Sequence, residues 1–270
     1  MQCPETQTLL TRFEGGVLHV TLNRPETRNA MSAEMVAELE AVFVAIAADR
    51  SVRAVVLRGA GGHFCAGGDL KSMMGGMKLP AAGEPDAIAV MNRSFGALLR
   101  RVQQAPAVVI TVCEGAVLGG GFGLVCVSDI ALAQVDARFG LPETTRGLPP
   151  AQIAPFVVER IGLTQARRLA LTGAQFRGVE ALALGLVHQS FVSDEDLQTQ
   201  LAAVIQKVLG CAPEANAVTK AILLQVGRQD FDVVLDQAAA QFAACVRGSE
   251  APEGITAFIQ KRVPKWANPT

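Results

Sequence analysis

Two glycine-rich segments, each placed directly after a short β-branched run, constrain the fold of this chain more than any other feature of the sequence. Residues 53–59 read RAVVLRG and open the segment GAGGHFCAGGDLK, while residues 107–112 read AVVITV and lead into CEGAVLGGGFGLVCVSD. Such runs predict strands that end in loops whose backbone N–H groups can approach a ligand closely. Helical patterns lie between the strands, so we expect a parallel or mixed α/β sheet with its ligand at the strand ends.

The surrounding patterns predict an α/β core at residues 1–192 and a helical region at 193–270. In the core, VLHVTLNR alternates apolar and polar residues as a half-buried strand does, and Ser32 is the expected N-cap of the next helix. A further core helix and a further core strand are predicted at 86–104 and 130–134. The C-terminal region carries helical stripes without any strand pattern, and these lie at 196–209, 213–227, 230–247 and 252–262.

Charge balance and hydropathy exclude several classes of protein. Lys and Arg number 24 against 25 Asp and Glu, which leaves no basic excess to neutralise a nucleic-acid backbone. The longest apolar runs, 105–113 and 115–127, are shorter than the roughly 20 residues that cross a bilayer. We therefore predict no nucleic-acid and no membrane partner. The mean hydropathy of +0.31 is high for a monomer, so burial of subunit surfaces in a homo-oligomer is expected.

The cysteines and histidines argue against disulfides and metal sites. Six cysteines occur without a CxxC pair in a chain long enough to build its own core, which favours reduced thiols and a cytoplasmic protein. The three histidines, His19, His63 and His188, are far apart in the sequence, so no metal site is expected. Packing or structural roles are predicted for His63 and Cys65 in the first glycine-rich segment and for Asp129 at the end of the second.

If the two glycine-rich loops converge at one edge of the sheet, they can act together on a carbonyl group. One N–H from each loop would form a pair of donors around a developing oxyanion, a geometry that suits a thioester enolate. Losing one such donor costs about 3–4 kcal/mol in a site that excludes water. The alternative is a pair of ordinary glycine turns, with Asp69 capping the helix that follows the first of them.

Five strings taken together resemble one protein family. NRPETRNA, FCAGGDL, GAVLGGG, the pair Ser128 and Asp129, and FGLPE occur in the order and spacing of the enoyl-CoA hydratase/isomerase family, also called the crotonase family. The resemblance runs from about residue 12 to residue 262. It implies a spiral of repeated ββα units with a C-terminal helical trimerisation region, assembled as a homotrimer or a dimer of trimers. It also implies an acyl-CoA substrate and no separate cofactor, because coenzyme A is part of the substrate.

The resemblance assigns roles to individual residues. Gly68 and Gly120 match the two backbone donors that hold the thioester oxygen, and Glu143 matches a catalytic acid/base. Other matched residues lie in segments that contact the substrate, namely Arg24, Ala66, Asp69, Lys71, Phe258 and Lys261. A separate physical reason supports Glu143, because a carboxylate among apolar neighbours has its pKa raised toward roughly 6–7, where proton transfer is efficient. The alternative for Glu143 is a capping or surface glutamate at a turn.

One position departs from the family pattern. Typical hydratases of the family have another glutamate three residues after the middle glycine of the GGG string, where this chain has Gly123. Glu114 is not expected to replace it, because it precedes the glycine loop. A site with one glutamate also suits a double-bond isomerase, in which Glu143 moves a proton between carbons. A non-catalytic acyl-CoA-binding or scaffold protein is the third alternative.

The string PETTRGLPPAQIAP, residues 142–155, is similar to one branch of the family. That branch hydrates branched glutaconyl-CoA esters, such as isohexenylglutaconyl-CoA in bacterial terpene breakdown. These substrates carry a second carboxylate, with which Arg146 can pair bidentately. The alternative for Arg146 is an exposed or intersubunit arginine. The sequence therefore favours an enoyl-CoA hydratase (a hydro-lyase) acting on a branched glutaconyl thioester, with the isomerase and the binding protein as alternatives.

Overall fold

Two sheets organise the strands of the described chain. The computed structural model describes residues 3–69, 80 and 83–267. Its strands are β1 Leu9–Glu14, β2 Val17–Leu22, β3 Ala54–Gly59, β4 Val108–Cys113, β5 Ala116–Leu118, β6 Ile130–Gln134, β7 Arg138–Gly140, β8 Gln175–Arg177 and β9 Gln189–Phe191. The larger sheet has the order β1-β2-β3-β4-β6-β9, and the smaller has the order β5-β7-β8.

The central strands of the larger sheet are the two β-branched runs that precede the glycine-rich loops. β3 and β4 pair in parallel, with Ala54 opposite Val108 and Leu57 opposite Thr111. β2 and β6 continue the parallel pairing on either side, whereas β1 is antiparallel at one edge. Because β3 and β4 run in the same direction, the two glycine-rich loops leave the sheet at the same edge.

Helices follow the strands and fill the C-terminal region. They are α1 Ala33–Ala48, α2 Ala87–Gln104, α3 Gly120–Val127, α4 Ala154–Thr172, α5 Gly178–Ala183, α6 Asp194–Gly210, α7 Pro213–Leu223, α8 Phe231–Arg247 and α9 Glu250–Ile259. The predicted N-cap is correct, since the Ser32 hydroxyl accepts a hydrogen bond of 3.1 Å from the backbone N–H of Met35. No helix within the described ranges is long and apolar enough to span a membrane.

Helices bury both faces of the larger sheet. Neighbouring residues of β3 point to opposite faces, so Val55 packs in the cluster that contains Leu39 of α1, while Val56 packs with Leu197 and Leu201 of α6. The first helix of the C-terminal region therefore completes the core of the sheet. Burial of both faces explains why the central strands are continuous apolar runs instead of alternating ones.

The expected α/β architecture with a helical C-terminal region is confirmed. Predicted and observed elements agree within a few residues at β2, β3, β4, β6, α1 and α2. The smaller sheet was not predicted, because each of its strands has only three residues, too few for a recognisable alternation. The helix α4 was not predicted either, although Gly173 ends it in the left-handed conformation that is typical of a helix C-terminus.

Candidate active site

Backbone hydrogen bonds join the two glycine-rich loops directly. The N–H of Cys65 donates to the carbonyl of Ala116 at 2.8 Å, and the N–H of Leu118 donates to the carbonyl of Cys65 at 2.9 Å. Cys65 and Val117 thereby form an isolated parallel bridge between the loops. The convergence predicted from the sequence is therefore built from main-chain atoms, which fixes the relative position of the two loops.

The side chain of Asn29 fixes the first glycine-rich loop through hydrogen bonds to its carbonyl groups. Its amide nitrogen donates to the carbonyls of Ala60 and His63 at 2.8 and 2.6 Å, and its Oδ1 accepts from the N–H of Arg24 at 2.9 Å. The side chain is fully buried, and the backbone has φ +58°, a left-handed conformation that Asn tolerates better than most residues. The NRPETRNA string thus includes a buried residue whose supporting role has no local signal in the sequence.

Cys65 and His63 have structural contacts, as predicted. The Cys65 side chain is fully buried, and its Sγ accepts a hydrogen bond of 3.4 Å from the N–H of Gly67. Burial raises the pKa of this thiol to about 11, so it is not a nucleophile at neutral pH. His63 accepts through Nδ1 from the N–H of Ala116 at 3.1 Å, which adds another link between the loops.

The N–H groups of Gly68 and Gly120 lie on these joined loops and donate to no group of the described chain. Gly68 is positioned on both sides by Met31, whose N–H donates to the carbonyl of Gly67 and whose carbonyl accepts from the N–H of Asp69. Gly120 is the first residue of α3, where an N–H has no acceptor within the helix and the helix dipole is positive. Both amides are therefore available to an oxygen atom of a ligand.

A cavity of about 190 Å³ opens beside these two glycines. Its walls come from five segments: residues 31–36 at the start of α1, the end of the first glycine-rich loop, the start of α3, the first half of α2, and the stretch that leads from β7 into α4. Its lining is mostly apolar and includes Met31, Val36, Met91, Phe95, Leu148 and Ile153. Its polar and charged side chains are Ser32, Asn92, Ser94, Glu143, Arg146 and Gln152.

Glu143 is a carboxylate held at the wall of this cavity. It lies in the short 3₁₀ helix Pro142–Arg146, and its Oε1 is 2.7 Å from the position that a Cβ atom would occupy at Gly119. Its Oε2 is buried without a hydrogen-bond partner among the described residues. Burial raises the pKa of Glu143, and a hydrogen bond from its own backbone N–H and the nearby Arg146 guanidinium oppose this rise. A carboxylate with one unpartnered oxygen and a raised pKa, on the same cavity as two free amides, can take up and return a proton.

Apolar side chains occupy the space in front of Gly123, the position where the family pattern has its other glutamate. A Cβ atom at Gly123 would lie 3.2 Å from Ile153 and 3.4 Å from Leu99, both of which are buried. Glu114 forms an ion pair of 2.6 Å with Arg58 and does not line the cavity. The described lining therefore contains one carboxylate, that of Glu143.

The other predicted site residues fall into three groups. Ala66 and Arg146 line the cavity. Arg24 and Asp69 form an ion pair of 3.1 Å beside the first loop, outside the lining. Phe258, which is 85% exposed, and Lys261 lie at the end of the C-terminal helices, away from the lining, and Lys71 lies outside the described residues. Contacts of these residues with coenzyme A stay predictions.

Two amides in the lining were not identified from the sequence. Gln152 donates through Nε2 to Oδ1 of Asn92 at 3.0 Å, which joins the stretch before α4 to the first half of α2. No local pattern marks either residue, because the contact joins positions 60 residues apart.

Asp129, for which a structural role was predicted, accepts a hydrogen bond from the Nζ of Lys220 at 2.6 Å and links α7 to the core.

Comparison with known proteins identifies relatives along nearly the whole chain. A family profile described as Enoyl-CoA hydratase/isomerase matches residues 12–269. The solved structure of AtuE from Pseudomonas aeruginosa is 56% identical, with a TM-score of 0.93, and the match covers 97% of this chain and 100% of that one. The two chains are therefore similar in both sequence and fold along nearly their whole length.

Characterised relatives include both hydratases and isomerases. The 2,3-dehydroadipyl-CoA hydratase of Escherichia coli is 33% identical over 263 residues, which cover 96% of this chain and 98% of the relative. The peroxisomal Delta(3,5)-Delta(2,4)-dienoyl-CoA isomerase of Arabidopsis thaliana is 30% identical over 263 residues, with 94% of each protein covered. Membership of the family does not distinguish hydration from isomerisation, so the reaction type depends on the residues of the cavity.

Proposed function

This chain belongs to the enoyl-CoA hydratase/isomerase family, and on that basis we propose that it adds water across the double bond of a 2-enoyl thioester of coenzyme A. The observation that carries the proposal is the carboxylate of Glu143, whose Oε2 has no partner in the described chain, on a cavity that also exposes the amides of Gly68 and Gly120. Hydro-lyases among the relatives, such as the 2,3-dehydroadipyl-CoA hydratase of Escherichia coli, support the same reaction type.

The proposed mechanism uses one acid/base group and two donors. The amides of Gly68 and Gly120 polarise the thioester carbonyl, so that electron density moves from the double bond toward its oxygen. Water attacks carbon 3 while Glu143 accepts a proton from it, and an enolate forms whose oxygen is held between the two amides. Glu143 then returns that proton to carbon 2 as the carbonyl re-forms. The net change is the gain of one water molecule, and the enzyme is restored.

The favoured substrate class is a branched glutaconyl thioester, of which isohexenylglutaconyl-CoA is an example. Such an acyl group ends in a second carboxylate, and the exposed guanidinium of Arg146 lies on the cavity wall without an ion-pair partner among the described residues. The Escherichia coli relative is named for a thioester of dehydroadipate, which is also a dicarboxylic acid. The apolar lining around Met31 and Phe95 suits the branch.

A double-bond isomerase is the second candidate, favoured by the surroundings of Gly123. Because Ile153 and Leu99 occupy the space there, the described site has a single carboxylate. One carboxylate is enough to take a proton from carbon 2 of a 3-enoyl thioester and deliver it to carbon 4. The Arabidopsis relative, a dienoyl-CoA isomerase, is named for a reaction that moves double bonds.

Assembly as a homotrimer or a dimer of trimers is part of the proposal. It is supported by large apolar side chains exposed on the C-terminal helices, among them Phe242, Phe258 and Ile259. Sedimentation equilibrium of the full chain tests it, and a monomer at micromolar concentration contradicts it.

Mass spectrometry, combined with the ultraviolet absorbance of a conjugated 2-enoyl thioester, separates the candidate functions. The protein is incubated with crotonyl-CoA, a 3-enoyl-CoA and a branched glutaconyl-CoA, and Glu143→Gln is the control. A hydratase adds one water to the 2-enoyl thioesters, and the control does not. An isomerase leaves the mass unchanged but moves the double bond of the 3-enoyl thioester. Binding of the thioesters with no change in any of them, in both proteins, supports the non-catalytic alternative and contradicts both enzyme proposals.

A further inference from the structure

Asn92 and Gln152 form the only amide pair in the described lining of the cavity. Both side chains are half-buried, and the hydrogen bond between them orients both. The mechanism proposed above uses neither residue. Apolar side chains such as Met91 and Ile153 line the same wall, so these amides contrast with their surroundings.

A missing side chain on α2 makes room for the pair. Gly96 is buried and lies four residues after Asn92, so both residues are on the same face of the helix. A Cβ atom at Gly96 would lie 2.0 Å from Oε1 and 2.9 Å from Cδ of Gln152. Any larger residue at position 96 would therefore push the Gln152 amide out of its place. Glycine in a helix interior costs about 1 kcal/mol of helix stability relative to alanine. The space that Gly96 leaves for Gln152 therefore comes at the expense of the stability of α2.

The pair retains unused hydrogen-bonding capacity in the lining of the cavity. One N–H of Gln152 is used in the contact with Asn92, and no other hydrogen bond of either side chain occurs within the described chain. Two N–H groups of Asn92 and one of Gln152 remain, so the pair is rich in donors. Water that satisfies such half-buried amide donors is displaced favourably by a ligand acceptor that fits them.

We propose that Asn92 and Gln152 bind an oxygen atom carried by the acyl chain beyond the double bond and thereby select thioesters with a remote carbonyl or carboxylate group. This inference rests on the proposed function for the position of the thioester between Gly68 and Gly120. Arg146 supplies charge to the same end of the substrate, whereas the amide pair is neutral. The pair therefore recognises the oxygen whether or not the group is ionised, and Arg146 recognises only the anion.

Isothermal titration calorimetry with saturated thioesters tests the inference without requiring turnover. The three probes are pentanoyl-CoA, which has no remote oxygen, glutaryl-CoA, which has a remote carboxylate, and the methyl ester of glutaryl-CoA, which has a remote neutral carbonyl. Gln152→Leu and Asn92→Leu are expected to weaken binding of the acid and of the ester by about 10-fold each relative to pentanoyl-CoA. Arg146→Leu is expected to weaken binding of the acid alone.

Two further variants separate recognition from damage to the fold. Gly96→Ala favours the helix and displaces Gln152, so it is expected to reproduce the selective loss seen for Gln152→Leu. Gln104→Leu, an exposed glutamine on the same helix, is the matched control and is expected to leave all three affinities unchanged.

The inference is overturned if wild-type protein binds pentanoyl-CoA as tightly as the two oxygenated probes, or if Gln152→Leu weakens all three equally. Failure of the proposed function has a different signature. In that case wild-type protein hydrates no 2-enoyl thioester, although the selective binding of the saturated probes and its loss in Gln152→Leu remain.

Discussion

Two sides of the cavity present different groups, backbone on one side and side chains on the other. One side, the donor wall, consists of backbone at Gly67, Gly68, Gly119 and Gly120, fixed by main-chain hydrogen bonds between two loops. The other, the side-chain wall, consists of the side chains that line the cavity from α2 and from residues 142–153. The donor wall offers backbone N–H groups and needs glycine only for the space that a missing side chain leaves, whereas the side-chain wall depends on the chemistry of its side chains.

This difference separates reaction type from substrate choice. A pair of backbone donors can stabilise a thioester enolate whatever the rest of the acyl group is, because the carbonyl is common to all thioesters. With the thioester placed as proposed, the side-chain wall would contact the part of the acyl group that varies. Changes in the donor wall should therefore lower the rate for every substrate, and changes in the side-chain wall should alter the preference among substrates. Glu143 lies where the two walls meet, beside Gly119.

The largest effect is expected at this junction. Replacing Glu143 with Gln removes the group that moves the proton but keeps its shape, so kcat should fall by about 10³-fold for every acyl group. Burial raises the pKa of Glu143, and the carboxylate form is the base, so kcat/KM of the wild-type enzyme should fall as pH drops through that raised pKa. Steady-state rates against pH, with crotonyl-CoA and a glutaconyl-CoA, measure both. Loss of activity with only one of the two substrates would contradict the role.

A smaller but equally general loss is expected when the donor wall is distorted. A Cβ atom at Gly121 would lie 2.7 Å from Cβ of Cys65 and 3.0 Å from its carbonyl oxygen, so Gly121→Ala must move the two loops apart. Misplacing one donor should lower kcat by about 100-fold. The ratio of kcat/KM values for glutaconyl-CoA and crotonyl-CoA should stay the same. Gly210→Ala is the control, because a Cβ atom there meets nothing within 4 Å.

A change in the side-chain wall should have the opposite signature. Arg146→Leu is expected to raise KM for a glutaconyl thioester by about 10-fold, because a bidentate pair with the carboxylate is lost, and to leave KM for crotonyl-CoA nearly unchanged. Arg167→Leu, an exposed arginine outside the cavity lining, is the matched control. Equal increases of KM for both substrates would remove Arg146 from substrate recognition and weaken the distinction between the walls.

The same distinction explains what the sequence could predict. The sequence predicted Gly68, Gly120 and Glu143 as site residues, because each lies in a continuous string with a recognisable spacing. The structure places all three on one cavity, and their catalytic roles stay predictions. The hydrogen bond between Asn92 and Gln152 was not, because it depends on two segments that meet only in the folded chain. Main-chain features with local signals were predictable, and side-chain contacts across the cavity were not.

Even around the donor wall, the contacts of Asn29 and the strands of the smaller sheet could not be predicted from the sequence. The family string contains Asn29, yet its hydrogen bonds to the carbonyls of Ala60 and His63 are across more than 30 residues of sequence. The strand β5 has three residues and is recognisable only through its pairing with β7. A motif therefore predicted where the loops are, but not which buried amide supports them.

The smallest predicted effect is on the free energy of unfolding, and it measures how much the buried Glu143 carboxylate destabilises the folded protein. The pKa of Glu143 is raised from 4.5 in the folded state, so the folded protein binds more protons than the unfolded one between the two pKa values. Its contribution to the free energy of unfolding therefore falls as pH rises through that window. Glu143→Gln removes this dependence, so the variant should unfold at a slightly higher urea concentration than wild type at pH 7. At pH 4, which lies below both pKa values, the difference should be much smaller.

Urea unfolding of both proteins at pH 4 and pH 7 measures this difference. Glu84→Gln, which changes an exposed glutamate outside the cavity, is the control and should show no difference at either pH. If wild type is the more stable protein at pH 7, the carboxylate has a stabilising partner, and the buried Oε2 cannot be the free base that the mechanism needs. If the variant is more stable, burial of the ionised Glu143 carboxylate costs the fold stability, as expected for a group retained for the proposed reaction.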